Sequence, residues 1–270
     1  MQRRKTNHFD ERVDKDGIIT DLASGISKYF IKSYGEIDPE VIAVENGITY
    51  SYGDYGDSCD GMLEFLDGEF HIFINTRGKT ISNRARFTFA HELGHFYIHE
   101  HANALINGSA PAHSSFTGFK SEQIIERQAD HFAANLLMPE ELVIKAYRRK
   151  RKFEFETIVT ISKEFQVSLT AALYRVFMLD LHPMMIVKSK NGKIIGNPAR
   201  SNDFYYKLND KRNLPEDSLA MDFFSKGLKS KNSRELWAMD WFDTDGSGKV
   251  FEHCIYYENQ DMVISVIWRS

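Results

Sequence analysis

The sequence RFTFAHELGH at residues 86–95 carries two histidines, His91 and His95, four positions apart, with Glu92 directly after the first. Apolar residues surround this motif, and their spacing predicts one buried helix over residues 83–96. Side chains at positions i and i+4 lie on one face of a helix, so both imidazoles can bind one metal ion. Zinc accepts such ligands, and a glutamate beside the first histidine can act on a water molecule at that ion.

A third ligand is needed to distinguish this site from a chance pattern, and a second helical segment, Ser121 to Met138, supplies one. Glu126 and Asp130 lie four positions apart on it and share a helix face. In one large group of zinc peptidases a second helix contributes a glutamate ligand, and the carboxylate four residues later hydrogen-bonds the first histidine. We expect Glu126 to complete a His2Glu site and Asp130 to orient His91; the alternative is a solvated helix face.

Further residues are candidates for lining the site or for assisting the reaction: Tyr97, His99, His113 and His131. A helix that continues past the motif would bring His99, eight residues after His91, near the same face. A packing role for His99 is an equally good interpretation. His131, about 100° around the helix from Asp130, is expected outside the metal ligands. Cys59 is interpreted as a small apolar residue rather than a thiolate ligand.

Several segments together form a specific pattern: residues 86–95, His99, residues 126–134, the run Leu136-Leu137-Met138-Pro139, and the strand pair from Gly61-Met62 to Asn75. This pattern resembles the ImmA/IrrE family of metallopeptidases over about residues 20–180. The resemblance implies an endopeptidase that holds one zinc ion per chain. It further implies that the substrate is a partner transcriptional repressor with a helix-turn-helix fold. Members of the family act in stress, DNA-damage, mobile-element or phage-defence responses.

Composition sets the remaining limits on function. The chain has 270 residues, of which 42% are hydrophobic and 27% charged, as in soluble globular proteins. Its net charge of -4 makes nucleic acid a possible ligand but not the expected main one. The two cysteines form no disulfide framework, and no apolar run follows the basic N-terminus. We therefore expect a cytoplasmic protein without a membrane partner.

Changes in the hydrophobic period predict an α+β protein with three segments. Residues 1–145 are expected to form a gluzincin-like metallopeptidase domain, and residues 146–180 a helix-turn-helix-like segment. The layout of residues 181–270 resembles the small GAF or PAS domains that act as sensors in some members of the family. This predicts a regulatory role for that segment and a possible regulatory ligand.

The first segment is predicted to begin with two helices and a small antiparallel sheet. The expected elements are helices over 20–34 and from Asp38, and strands over 48–52, 62–66 and 69–74. Asp67-Gly68 is typical of a hairpin turn between the last two strands. Residues 102–120 are rich in small and polar residues and predict a mobile loop, which either covers the substrate cleft or simply connects two helices.

The middle segment contains the basic run 148–152 and two short helical patterns, residues 157–165 and 168–179. Lysine and arginine bind DNA phosphates, so this spacing leaves open a DNA-binding regulator with a structural or vestigial metal site. A module that captures a repressor without cleaving it is also open. The second helix carries one basic residue among apolar ones, which favours packing. The intact Glu92 also argues against a purely structural site.

The last segment predicts strands over 184–188, 193–195, 236–242, 250–257 and 262–268, with a helix over 219–228. Residues 243–248 resemble a calcium-binding loop, but Cys254 stands where the loop needs glutamate, so a hairpin turn is the better interpretation. Aromatic residues fit either a ligand pocket or a core: Trp237, Trp241, Tyr256, Tyr257 and Trp268.

Overall fold

The structure, a computed structural model, describes residues 8–78, 82–109, 113–115, 124–244, 246 and 248–269. The described residues form two compact units. One contains the residues up to Ala146 with Ile161–Ala171, and the other contains Tyr147–Thr160 with the residues from Ala172 onwards. Both combine helices with a sheet, so the α+β class is confirmed. The organisation in three segments stays a prediction.

Six helices belong wholly or mainly to the first unit: α1 (His8–Tyr34), α2 (Pro39–Glu45), α3 (Asn83–Tyr97), α4 (His99–Ile106), α5 (Ile124–Leu137) and α6 (Glu140–Tyr147). The predicted start of α2 is confirmed, since Asp38 accepts a hydrogen bond from the amide of Glu40 at 2.9 Å and Pro39 opens the helix. Within the described ranges, no helix combines the length and apolar character needed to cross a bilayer.

The sheet of the first unit has the order β1-β3-β2-β4, formed by β1 (Thr49–Gly53), β2 (Gly61–Leu66), β3 (Glu69–Asn75) and β4 (His113–Ser115). The predicted hairpin joins β2 and β3, and both of its turn residues, Asp67 and Gly68, have positive φ angles. The prediction of a wholly antiparallel sheet is wrong, because β1 pairs with β3 in parallel. Strand β2 follows β1 in the chain but lies on the far side of β3 in the sheet, so the connection between β1 and β2 crosses over the position of β3.

The prediction of a loop over residues 102–120 is wrong where the structure describes this segment. Helix α4 continues to Ile106, and residues 113–115 form the edge strand β4 beside β2. Leu105 and His101 are buried, and this packing stabilises α4 beyond what its short sequence suggests. Pairing with β2 is likewise a tertiary effect that local composition does not reveal. The start of the predicted helix at 121–123 lies outside the described residues.

Helices α3 and α5 approach each other closely at Gly94. A Cβ atom at this position would lie 3.1 Å from Cα of Ala129 and 3.2 Å from its carbonyl oxygen. The glycine therefore allows the two backbones to come together, and Phe89, Leu93 and Phe132 fill the core around them. Because the candidate metal ligands lie on these two helices, this close approach determines how far apart the ligands are.

The second unit is built on five antiparallel strands in the order β6-β5-β9-β8-β7. The strands are β5 (Met184–Lys190), β6 (Lys193–Arg200), β7 (Arg234–Trp237), β8 (Lys249–Tyr257) and β9 (Met262–Arg269), and helix α9 (Leu219–Lys226) packs on β8 and β9. The predicted strand over 236–242 is only partly correct. It ends at Trp237 and continues as the one-turn helix α10 (Ala238–Trp241).

The spacing of buried residues explains helix α10. Ala238, Trp241 and Phe242 are almost fully buried, and the spacing i, i+3, i+4 puts them on one side of a helix rather than of a strand. Residues 245 and 247 of the predicted tight turn over 243–248 lie outside the described residues, and the described ones belong to a broader connection between β7 and β8. Trp268 is also buried, whereas Trp237 is 50% exposed with the Lys249 ammonium 3.3 Å from its ring centroid.

The two helices of the predicted helix-turn-helix-like pair are α7 (Phe155–Glu164) and α8 (Leu169–Met178), so both helical patterns are confirmed. The boundary between the two compact units passes within each of them. Arg175, the basic residue of α8, is only 8% exposed. A guanidinium buried to this extent is not presented to a phosphate backbone, which supports the packing interpretation of α8.

Two stacked histidines give the second unit a pH-dependent stability. Burial lowers the pKa of His182, which stacks on Phe153 at 4.0 Å, to about 4. Burial also lowers the pKa of His253, which stacks on Phe155 at 3.6 Å, to about 4. Between this value and the ordinary histidine pKa of 6.5, the unfolded chain binds more protons than the folded one. The stabilisation of the folded state by the two neutral rings is therefore complete above pH 6.5 and is lost as the pH falls towards 4.

The free energy of unfolding falls between pH 7 and pH 4.5, and we expect this fall to be about 2 kcal/mol smaller in the double variant His182→Phe/His253→Phe. This figure allows for the partial exposure of the two rings. Phenylalanine keeps the stacking surface but does not titrate. Urea unfolding at both pH values measures the difference. An unchanged pH dependence in the variant would show that other groups cause it.

Candidate metal centre

Helices α3 and α5 bring three potential ligands together. His91 and His95 are each 1% exposed, and Glu126, in the first turn of α5, is 7% exposed. The Nε2 atoms of the two histidines lie 3.1 Å apart. The Glu126 carboxylate approaches His91 Nε2 at 3.3 Å with Oε2 and His95 Nε2 at 3.4 Å with Oε1. The sequence-predicted ligand residues therefore meet at one point.

The chemistry of this donor set fits a metal ion. One ligand atom from each of the three residues lies within 4.8 Å of the others, and all three residues are buried. Two imidazole nitrogens and one carboxylate oxygen are the donors of a three-ligand site that keeps a further coordination position open. A single metal ion bound by both histidines also explains why the Nε2 atoms of His91 and His95 approach each other.

The electrostatics of the cluster follow from burial and hydrogen bonding. Burial disfavours the charged form of His91, but hydrogen bonds with Asp130 and Glu126 outweigh it and raise the pKa to about 10. Burial lowers the pKa of His95 to about 4. For Glu126, burial acts upward, yet the hydrogen bonds with both histidines hold the pKa well below its usual value. An ionised Glu126 carboxylate thus faces a protonated His91 inside the protein, and a bound metal ion would replace that proton as the counter-charge.

Asp130 contacts the outer side of His91. Its Oδ1 atom lies 2.9 Å from Nδ1 of the ring, and its side chain is 28% exposed. The two residues sit on different helices, so the contact fixes how the ring lies across the α3–α5 interface. With Nδ1 engaged in this way, Nε2 is the nitrogen that faces the cluster.

Glu92 is completely buried between α3 and strand β2. A Cβ atom on Gly61, at the start of β2, would lie 2.7 Å from Glu92 Oε1 and 2.5 Å from Thr88 Cγ2. The glycine therefore leaves the space that the carboxylate occupies. Glu92 also acts electrostatically on His91, where its charge favours the protonated imidazole. A buried carboxylate is thus held directly beside the ligand cluster.

The other residues predicted to line the site are not part of this cluster. Tyr97 stacks on Phe132 with centroids 5.7 Å apart, and burial raises its pKa to about 12. His99 is exposed and contacts Asn103 at 2.8 Å. His113 lies in β4, and its side chain is outside the described residues.

Two weaker candidates also lie elsewhere. His131 Nε2 lies 2.8 Å from the Thr20 hydroxyl of α1, consistent with the expectation that it is not a ligand. Cys59 is buried, and its carbonyl oxygen accepts a hydrogen bond from Asn75 Nδ2 at 2.6 Å. Among the described residues, the ligand cluster contains neither of these two side chains.

A second polar pair beside the cluster was not predicted from the sequence. The ring of His101 lies 5.1 Å from that of His95, and its Nε2 atom is 3.0 Å from Gln128 Oε1. Both residues are more than nine-tenths buried. The sequence carries no signal for this pair, because Gln128 is two positions from Glu126 and so off its helix face, and His101 directly precedes the predicted loop.

Comparison with known proteins places this geometry in context. The Peptidase M78 profile, described as the IrrE N-terminal-like domain, matches residues 65–177, which contain α3, α4 and α5. The radiation response metalloprotease IrrE of Deinococcus radiodurans is 28% identical over 146 residues, or 52% of this chain and 42% of that protein. The protein of the same name from Deinococcus deserti is 32% identical over 130 residues, covering 48% and 42%.

The chain matches only about two-fifths of the length of these two relatives. A solved structure of a Mycobacterium tuberculosis transcriptional regulator aligns with a TM-score of 0.59 over 92% of this chain and 76% of that one. At 12% sequence identity, this likeness concerns the fold alone.

Two histidines on α3 and a glutamate on α5, inside a domain that matches a peptidase profile, define the chain as a protein with a metallopeptidase-type domain. Residues 65–177 match the IrrE N-terminal-like domain, and this match with the two IrrE relatives supports the ImmA/IrrE assignment made from the sequence motifs.

Proposed function

We propose that this protein is a zinc-dependent endopeptidase. The observation that carries the proposal is the convergence of His91, His95 and Glu126 next to the fully buried Glu92. A structural metal site needs its ligands but no additional buried carboxylate beside them. The arrangement therefore supports catalysis over the alternative of a regulator with a structural or vestigial metal site. The three ligands would hold one zinc ion per chain.

Bound zinc would lower the pKa of a water molecule and polarise the scissile carbonyl group. Glu92 would accept the proton of the attacking water on its carboxylate and then donate it to the leaving amine. Asp130 would act as a positioning residue by holding Nδ1 of His91, so that Nε2 remains directed at the cluster. Burial of Glu92 would keep bulk water from competing for that proton.

The substrate we propose is a partner transcriptional repressor with a helix-turn-helix fold, and its cleavage would relieve repression during a stress response. Support comes from the family resemblance and from two relatives whose names describe a radiation response metalloprotease. Nucleic acid is not the main ligand we propose, since the chain carries a net charge of -4 and the basic residue of α8 is buried.

The second unit would regulate the peptidase as a sensor of the GAF or PAS type. Its five-stranded antiparallel sheet with helix α9 packed on β8 and β9 supports this assignment. A regulatory ligand for this unit stays a prediction from the sequence.

The proposal is tested by incubating the zinc-loaded chain with purified helix-turn-helix repressors encoded beside its gene and analysing the products by mass spectrometry. We expect one cleavage site in one repressor, and loss of cleavage when a chelator removes the metal. Tight repressor or DNA binding without cleavage products would instead support the regulator alternative.

A further inference from the structure

A cavity of about 270 Å³ opens beside the ligand cluster, between helices α4 and α5. Among the described residues its walls are formed by Lys15, His95, Glu100, His101, Ala104, Leu105, Ile124, Ile125 and Gln128. We refer to it as the α4–α5 cavity. The space is open to solvent at its rim, so it is a surface pocket that a ligand can enter.

The cavity reaches the candidate metal centre through His95. This residue belongs to the ligand cluster and also lines the cavity, and its ring lies 5.1 Å from that of His101, which lines the cavity as well. A peptide whose scissile carbonyl lies at the cluster would therefore have a neighbouring side chain within reach of this space.

Most of the cavity surface is aliphatic. Ala104 and Leu105 contribute the wall from α4, and Ile124 and Ile125 contribute the wall from α5. Ile124 is 56% exposed and Ile125 is 38% exposed, so apolar surface is accessible at the rim. An incoming aliphatic side chain would cover this surface, and removal of apolar area from water is the favourable term in such binding.

The polar groups around the cavity already contact one another. His101 Nε2 lies 3.0 Å from Gln128 Oε1 in the buried wall. At the exposed edge, the Lys15 ammonium lies 3.3 Å from the Glu100 carboxylate. Because Lys15 and Glu100 already pair with each other, a charged substrate side chain would lose its water without meeting an unpaired counter-ion among the described lining residues, and such burial is costly. The lining therefore selects against acidic and basic side chains.

We propose that the α4–α5 cavity is the subsite that receives an aliphatic side chain of the substrate next to the scissile bond. The inference rests on the proposed function and specifies which substrate residue that function would select. Leucine, isoleucine or methionine would fit the aliphatic walls, whereas glycine would leave the cavity empty and lysine or glutamate would be rejected.

The test measures binding of small metal-chelating probes rather than cleavage. N-acetylated hydroxamic acids of glycine, leucine and lysine are titrated into the zinc-loaded full chain by calorimetry. We expect the leucine compound to bind about tenfold or more tightly than the glycine compound, because its side chain enters an apolar subsite. The lysine compound should bind no more tightly than the glycine compound. Equal affinity of all three, or affinity for none, would overturn the inference.

Two variants on helix α4 locate the effect. Ala104→Phe fills the cavity and should reduce the leucine-to-glycine affinity ratio to about one, with zinc content unchanged. Ala102→Phe is the matched control, because Ala102 is also half-buried on α4 but does not line the cavity. It should keep the wild-type ratio. A preference that survives Ala104→Phe, or that Ala102→Phe removes, would place the subsite elsewhere.

A variant at the cavity rim provides a second test that does not depend on the folding of Ala104→Phe. Ile125→Ala changes a partly exposed residue and widens the space, so a phenylalanine hydroxamic acid should gain affinity relative to the leucine compound. An unchanged ratio would contradict the inference. Hydroxamic acids that bind zinc without any side-chain preference would overturn the subsite but leave the proposed function intact. A chain that binds no zinc would overturn both.

Discussion

Substitution of Glu92 by glutamine is expected to lower the rate of peptide cleavage at least about a hundredfold while zinc content stays at the wild-type level. The amide has nearly the shape of the carboxylate but does not accept a proton from water at neutral pH. Because Glu92 is fully buried and fits against Gly61, the isosteric change leaves the packing unchanged. The rate is measured with the cleaved repressor under single-turnover conditions, and the zinc by elemental analysis.

Glu141→Gln serves as the control for this experiment. Glu141 is an exposed glutamate on α6 whose carboxylate pairs with Lys28 at 3.0 Å, and it does not line the α4–α5 cavity. It should cleave the repressor at close to the wild-type rate, since exposed ion pairs contribute little. Wild-type cleavage by Glu92→Gln would show that another group removes the proton. Loss of zinc together with activity would show that Glu92 supports the metal site rather than the reaction.

The parts of the fold that depend on local spacing were predictable from the sequence. The helical period identified α3 and α5, and Asp67-Gly68 identified the hairpin between β2 and β3. The parallel pairing of β1 with β3 was not predictable, because it depends on which strand edge the chain meets after a crossover. Strand β4 and helix α10 escaped prediction for a similar reason, since each depends on tertiary contacts of a short segment.

The same distinction holds for the candidate site. His91 and His95, and Glu126 and Asp130, are pairs with helical spacing, and the sequence alone associates the two members of each pair. The contact between His101 and Gln128 joins two helices across a segment whose course the sequence does not reveal. No spacing rule connects these two residues, so the wall of the α4–α5 cavity became visible only in three dimensions.

Removal of the third ligand is the second large effect that the structure predicts. In Glu126→Ala the two histidines keep their positions on α3, but the carboxylate that approaches both Nε2 atoms is absent. We expect zinc content to fall from about one ion per chain to a small fraction of that. Two neutral imidazoles supply neither the negative charge nor the third donor that a stable site requires.

Arg127→Ala is the matched control, because Arg127 is the next residue on α5 and is exposed. It should bind zinc like the wild type.

The metal-free Glu126→Ala chain should also be less stable than the metal-free wild type, since it leaves His91 and His95 buried without the carboxylate that interacts with both. Elemental analysis after dialysis and urea unfolding in the presence of chelator measure the two effects separately. Full zinc content in Glu126→Ala would mean that another residue supplies the third ligand. Loss of stability without loss of zinc would assign Glu126 a purely structural role between α3 and α5.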